Sequence, residues 1–358
     1  MTMGASGKLR FGIVGCGTIA DIHARAMNAS KLVELVSAYS RNKENAGKFG
    51  ETHQVSWTTD WEQFIDNPDM DAVSICTPNG NHLDYGEKAA RNGKHVVLEK
   101  PIEINLERGQ QLIDICENHG VQLAVIYQNR FIPYIQEMKK RINAGEIGNL
   151  FIGDAYIKWY RTQAYYDSGA WRGSLKLDGG GVLINQAIHT VDLLQWMMGA
   201  VETIYGQTGT FTHERLEGED NAAAVLRFKN GALGVIQGST SVNPSQSRRI
   251  EIHGSKGTAI LEGESVKIQT PESEPKIREL GEVATKSAGS SSPLGGFSTE
   301  PHRLQFEAIA NAIVNGVAPP VSGADSLKSL AIVQAIYESA KTGQAIDMDT
   351  FVKNNRST

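Results

Sequence analysis

Two groups in this 358-residue chain are suited to moving a proton at neutral pH: the amine of Lys100, in Leu98-Glu99-Lys100-Pro101, and the imidazole of His189, in Asn185-Gln186-Ala187-Ile188-His189. A lysine at the end of an apolar strand, where a ligand cleft opens, is desolvated toward a useful proton-transfer range; the same lysine can equally reach solvent from the strand end. His189 follows Asp178-Gly179-Gly180-Gly181, and helical spacing over Val182 to Met198 places residues 185, 189 and 192 on one face. An amide one turn before an imidazole can position a hydroxyl while the imidazole takes its proton, although a buried core histidine gives the same pattern. Asp192 reads as a structural partner.

These groups need a scaffold, and the first stretch supplies one. Leu9, Phe11, Ile13 and Val14 form a short apolar strand running into Gly15-Cys16-Gly17-Thr18-Ile19-Ala20. This is a G-x-G-x-x-A fingerprint: a tight turn, close backbone approach to a pyrophosphate, and a small residue where the next helix packs on the strand. The second strand, Leu32 to Tyr39, ends in Ser40-Arg41, without the carboxylate that ordinarily binds a ribose 2'-hydroxyl. A cation there favours a 2'-phosphate and hence NADP; a solvated arginine is compatible with NAD.

Further short strands at Val55 to Thr58 and Ala72 to Cys76, a tight turn and strand over Gly93 to Leu98, and a strand at Val121 to Ile126 alternate with helical stretches, giving a six-stranded doubly wound sheet. The fourth strand ends in Thr77-Pro78-Asn79-Gly80-Asn81-His82, a breaker-rich turn at the carboxyl edge where such sheets bind ligands; His82 alternatively caps the helix that follows. A dinucleotide-binding domain over residues 1–128 and an α+β domain over 129–358 are expected. The second half carries strand-like runs at Asn149 to Trp159, Ala222 to Phe228, Ala232 to Thr240, Arg248 to His253 and Thr258 to Leu261, read as an open antiparallel sheet, with Asn230-Gly231 fitting a type I' hairpin. Thr285 to Ser298 is a Ser/Gly-rich loop, and Ala324 to Thr342 a closing helix.

A net charge of −5 without a dense basic run argues against nucleic acid or an anionic membrane surface as partner. Cys16, Cys76 and Cys116 lack C-x-x-C spacing, so neither a zinc site nor a disulfide framework is expected, and no metal is assigned. With no bilayer-length apolar run and no apolar leader in the first residues, a cytoplasmic location is expected.

The glycine turn, Thr77-Pro78-Asn79 with His82, Gly93-Lys94-His95-Val96, Glu99-Lys100-Pro101, and Gly179-Gly180-Gly181 with His189 together resemble the glucose-fructose oxidoreductase / inositol dehydrogenase / MocA family over nearly the whole chain. Gln128-Asn129-Arg130, Tyr165-Tyr166, Trp171-Arg172-Gly173 and Asn185-Gln186 look most like its UDP-N-acetyl-2-amino-2-deoxyglucuronate 3-dehydrogenases. The resemblance implies a Rossmann sheet followed by an α+β domain, and hydride transfer between NADP or NAD and a secondary alcohol of a sugar, uronate, inositol or nucleotide sugar. His189 would take the hydroxyl proton and Lys100 hold or relay it. Asn185 stands where many members carry aspartate, which leaves the proton to those two. Cofactor contacts are implied for Gly15, Gly17, Thr18, Ile19, Ser40, Arg41, Thr77, Pro78, Asn79, His82, Glu99, Lys100 and Gln128, and substrate contacts for Arg130, Tyr166, Trp171, Arg172 and Asn185. Association as a homodimer or homotetramer through the open sheet face is also implied. A keto-sugar reductase running in reverse, and a non-catalytic cofactor-sensing regulator, are the alternatives.

Overall fold

The computed structural model describes residues 7–271, 278–280 and 298–356. The chain divides into two compact units. The first holds six parallel strands: β1 (Leu9–Val14), β2 (Val33–Tyr39), β3 (Ser56–Thr58), β4 (Ala72–Ile75), β5 (His95–Leu98) and β6 (Leu123–Val125). Their order is β3-β2-β1-β4-β5-β6, so the winding reverses between β1 and β4. That reversal is where open parallel sheets receive ligands. The strands β4 and β5 are buried at all four positions, as expected of a sheet covered on both faces.

The first unit is not one continuous segment. It takes Glu107–Phe131 and a later segment that ends at Leu327, whereas Ile104–Leu106 cluster with the second unit. A single boundary at residue 128 does not describe this path. The returning helix, Glu300–Asn315, sets Phe306 edge-on to Phe11 with ring centroids 5.5 Å apart, and Gln305 Nε2 donates to the Val125 carbonyl at 2.8 Å. Both phenylalanines are fully buried, each contributing about 1.5–3 kcal/mol.

Among the described residues the second unit is built on nine strands: β7 (Leu150–Lys158), β8 (Val201–Gly209), β9 (Asn221–Phe228), β10 (Leu233–Ser239), β11 (Arg249–Gly254), β12 (Gly257–Glu262), β13 (Ser265–Gln269), β14 (Arg278–Leu280) and β15 (Ile346–Asp347). The order is β14-β13-β12-β11-β7-β10-β9-β8-β15. The sheet is mixed rather than wholly antiparallel, because β7 and β10 pair in parallel. One face, with Ala155, Ile204, Leu226, Ile236 and Ile252, is buried; on the other, Tyr205, Val225 and Leu233 stay about half exposed. The β9–β10 connection is not a type I' turn. Only Gly231 of its residues has a positive φ, Gly231 N–H bonds the Phe228 carbonyl, and the Asn230 side chain accepts from Ala232 N–H, giving a three-residue loop with a glycine bulge.

The expected single helix from Val182 to Met198 is two conformations in series. Val182–Ala187 forms wide π-type turns and Ile188–Met198 is α-helical. The Ser/Gly-rich stretch from Thr285 lies, except for Ser298, outside the described residues. Among the described residues no helix is long and apolar enough to cross a membrane.

Candidate active site

In the first unit the glycine turn follows from a steric demand. Gly15 has φ +91°, and a Cβ there would lie 2.9 Å from the Cys76 carbonyl oxygen, so the strand end of β4 excludes any larger residue. The helix Thr18–Asn28 then begins at Gly17, where no side chain caps the first turn and an added Cβ would meet nothing within 4 Å. Uncapped amides facing open space at a helix start suit an anion. Thr77 Oγ1 and Gln128 Oε1, at the ends of β4 and β6, are buried polar atoms without a hydrogen-bond partner. Such atoms ordinarily find one, and a dinucleotide laid along this edge fits them. Ser40 Oγ accepts from Asn42 N–H at 3.2 Å, and Arg41 is exposed beside it.

His82 does not cap its helix; Asn81 holds that position. Its fully buried ring instead lies 2.9 Å from the Pro101 carbonyl and 3.2 Å from the Thr77 carbonyl, joining the loops after β4 and β5. Burial lowers its pKa. Pro78 and Asn79 lead into the same helix, and Asn79 is buried. Lys100, half-buried, follows β5 with a cis bond to Pro101. Its backbone N–H donates to Glu99 Oε2 at 3.1 Å, while Glu99 Oε1 lies 2.8 Å from His23 Nε2. His23 Nδ1 lies 2.8 Å from Ser74 Oγ and 3.3 Å from Cys76 Sγ. Burial opposes both charges, yet the partners win: Cys76 and Glu99 raise His23 to about 10, and the His23 hydrogen bond lowers Glu99 to about 2. His302 lies within ligand distance of this pair, but both ring nitrogens of His23 are already engaged. The His23–Glu99 contact has the geometry of a buried ion pair. Arg130, also in the first unit, is buried with its guanidinium 5.9 Å from the Tyr127 ring.

In the second unit Asn185 Nδ2 donates to both oxygens of Asp178, at 2.8 and 2.9 Å, so the carboxylate absent from position 185 stands beside it. Asp178 is itself buried and accepts from Gly173 N–H. Gln186 Nε2 donates to the Tyr165 hydroxyl at 2.6 Å, Arg172 Nη1 donates to it at 2.9 Å, and Arg161 Nη2 donates to Gln186 Oε1 at 3.1 Å. The Arg172 guanidinium lies 4.4 Å from the Tyr165 ring and 4.6 Å from the Trp171 ring. Two cations, an amide and a phenol thus gather beside the turn that precedes His189, an arrangement suited to an anionic, hydroxyl-rich molecule. Of the two tyrosines, Tyr165 carries the polar handle. The Tyr166 hydroxyl is spent on Thr240 Oγ1 at 2.8 Å, and the ring packs against His213. Asp192 accepts from Ser329 Oγ at 2.7 Å in the core.

Residues 9–127 match the oxidoreductase family with an NAD-binding Rossmann fold, and residues 135–260 match the GFO/IDH/MocA C-terminal domain. The chain belongs to the GFO/IDH/MocA family of oxidoreductases. It is 33% identical to the WlbA dehydrogenase of Bordetella pertussis, seen in a complex with NADH and UDP-GlcNAcA, with a TM-score of 0.82 over 95% of this chain and 98% of that one. It is 28% identical to the inositol 2-dehydrogenase of Rhizobium meliloti over 95% of this chain and 99% of that protein. It is 27% identical to the scyllo-inositol 2-dehydrogenase (NAD(+)) of Bacillus subtilis, over 96% and 97%. The chain is therefore an NAD-binding oxidoreductase, an enzyme of a family rich in sugar and inositol dehydrogenases.

The sequence alone assigns no role to Asp178, Arg161, Tyr165, His23 or Glu219, although Asp178 and Tyr165 stand in motifs it draws on. Asp178 directly before the glycine run was a usable signal, since a carboxylate there flanks the turn carrying Asn185. Arg161 and His23 sit in ordinary polar contexts and gain meaning only through distant partners.

Proposed function

We propose that this enzyme transfers a hydride between a nicotinamide dinucleotide and a secondary alcohol of an anionic carbohydrate, a uronate or a nucleotide sugar. The observation that carries the substrate class is the Arg161–Gln186–Tyr165–Arg172 group beside Asn185, one turn before His189. The bound nicotinamide supplies the hydride acceptor, or donor in the reverse direction. Every remaining task falls to the chain. The uncapped turn at Gly15 and Gly17, with Thr18 and Ile19, holds the pyrophosphate, while Thr77, Pro78, Asn79, His82, Glu99 and Gln128 line the strand ends along the dinucleotide. Ser40 and Arg41 receive the adenosine ribose. His189 takes the hydroxyl proton at an imidazole nitrogen, Lys100 holds or relays it at Nζ, and Asn185, held by Asp178, orients the hydroxyl. Arg172, Arg161 and Arg130 bind the acidic or phosphoryl groups, with Trp171 as an apolar wall and Tyr166 as the packed support behind Tyr165.

The half-exposed apolar face with Tyr205, Val225 and Leu233 supports a homodimer or homotetramer, since covering it removes apolar surface from water. Three free cysteines support a reducing, cytoplasmic setting.

The test is turnover on a panel of uronates, nucleotide sugars and inositols with NAD and NADP. Lys100→Met and His189→Asn are expected to lose on the order of 10²–10⁴-fold in kcat while keeping cofactor binding, read as a thermal shift. Full activity in both variants overturns the assigned roles; tight cofactor binding with no turnover on any carbohydrate points to the regulator instead.

A further inference from the structure

The glycine run ahead of Asn185 and His189 is pressed against a residue with no place in the chemistry so far. Glu219, fully buried, accepts from Gly181 N–H at 2.9 Å through Oε2 and from Leu183 N–H at 2.7 Å through Oε1, while its backbone carbonyl accepts from Val182 N–H at 2.8 Å. The Tyr337 hydroxyl donates to Oε1 at 3.0 Å. Three successive amides, 181 to 183, are thus committed to one residue. The glycines are what proximity demands: a Cβ on Gly181 would collide with the Glu219 backbone, and one on Gly180 with the Tyr337 hydroxyl.

These amides open the wide turns of Val182–Ala187. A turn wider than α is disfavoured in isolation and persists where the surroundings over-determine it, often at functional sites. Its width sets the azimuth of Asn185 and Gln186 relative to His189, which follows in the α-helical part. Relaxed to regular α geometry, the two amides would leave Asp178 and the Tyr165 hydroxyl. Burying an acid is costly and is repaid here by donors alone.

We propose that Glu219 is a positioning residue, a buried acid that clamps the wide turn and thereby holds Asn185 and Gln186 in register with His189. This rests on the reading that His189 acts in the reaction. In Glu219→Gln the side chain keeps its shape, but its NH₂ faces one of the two amide donors, so one clamp bond must fail. Tyr337→Phe removes only the third donor.

The experiment measures kcat, KM, cofactor dissociation by NADH fluorescence, and amide hydrogen exchange over 181–189 in wild type, Glu219→Gln, Tyr337→Phe and His189→Asn. Expected for Glu219→Gln is a loss in kcat on the order of 10–100-fold, unchanged NADH dissociation, and faster exchange at 181 and 183. Tyr337→Phe should move the same way by less. Wild-type kcat and KM in folded Glu219→Gln, with or without a lower Tm, overturn the proposal. If that variant does not fold, unchanged kcat and unchanged exchange in Tyr337→Phe overturn it. Full turnover in His189→Asn removes the underlying reading instead, while the exchange data still report on the clamp.

Discussion

His23 Nε2 and Glu99 Oε1 lie 2.8 Å apart in the first unit, joining the helix that starts at the glycine turn to the strand end that carries Lys100. The shifts of the two groups both favour their charged forms, and both side chains are shielded from water. Glu99 is lowered from 4.5 to about 2, so its contribution is present above pH 4.5 and is lost as pH falls toward 2. His23 is raised from 6.5 to about 10, so its contribution is complete below pH 6.5 and is lost as pH rises toward 10. The pair should therefore stabilise most between pH 4.5 and 6.5. Glu99→Gln and His23→Ala each leave a partner buried without its counter-charge, and a loss of about 3–5 kcal/mol is expected, read from denaturant midpoints at pH 6. A variant with wild-type stability there contradicts the ion pair.

His302 gives a prediction of opposite sign. Both its ring nitrogens are buried without a hydrogen bond, and burial, followed by the charge on His23, lowers it from 6.5 to about 3. Below pH 6.5 the unfolded chain binds a proton that the folded chain refuses, so this residue costs stability on acidification. His302→Leu removes the unsatisfied nitrogens at modest cost in packing. Its stability relative to wild type should improve between pH 8 and pH 5, as thermal melts at the two values will show; an unchanged difference contradicts the assignment.

How far the sequence carries depends on the range of the interactions that decide each feature. The six strands of the first sheet and the glycine turn are legible because all but β3 are short apolar runs bounded by breakers, and the β1 turn is settled by residues within six positions. The return of Glu300–Asn315 to the first sheet is not legible, since nothing local says which sheet an amphipathic helix will cover; contacts such as Phe306 with Phe11 decide it. The strand β8, with its polar and glycine residues, carries little apolar alternation of its own and is fixed by pairing with β9. Asn185 and His189 were both visible, but their shared α-helical face was not what formed, because Glu219 lies 34 residues downstream and holds the turn open.

The Tyr165 hydroxyl accepts from both Arg172 and Gln186. Tyr165→Phe keeps the ring on which Arg172 stacks and removes the acceptor, leaving two donors unaligned. KM for an acidic carbohydrate is expected to rise about 10-fold with kcat changing less, whereas a neutral polyol should be nearly unaffected. Equal effects on acidic and neutral substrates contradict the anion assignment.

Arg41 bears on cofactor choice. It is exposed, next to Ser40 at the end of β2, and no carboxylate occupies either position. Arg41→Ala should weaken NADP binding by about 1–2 kcal/mol, the scale of one partly exposed charge-assisted hydrogen bond, and leave NAD nearly unchanged; isothermal titration with both nucleotides measures the difference. Equal losses for the two would place Arg41 on the adenine rather than on a 2'-phosphate.

The exposed face of the second sheet yields the last expectation. Tyr205, Val225 and Leu233 are each about half exposed on β8, β9 and β10, three strands that are neighbours in the sheet. Val225 is the central one of the three. An arginine there would have to be desolvated in any interface that covers the face, while in a lone subunit it would stay in water at little cost. Val225→Arg should therefore shift sedimentation toward smaller species with the far-UV circular dichroism spectrum preserved. If the variant sediments as wild type does, association through this face is wrong, and the patch must be explained as ordinary exposed surface.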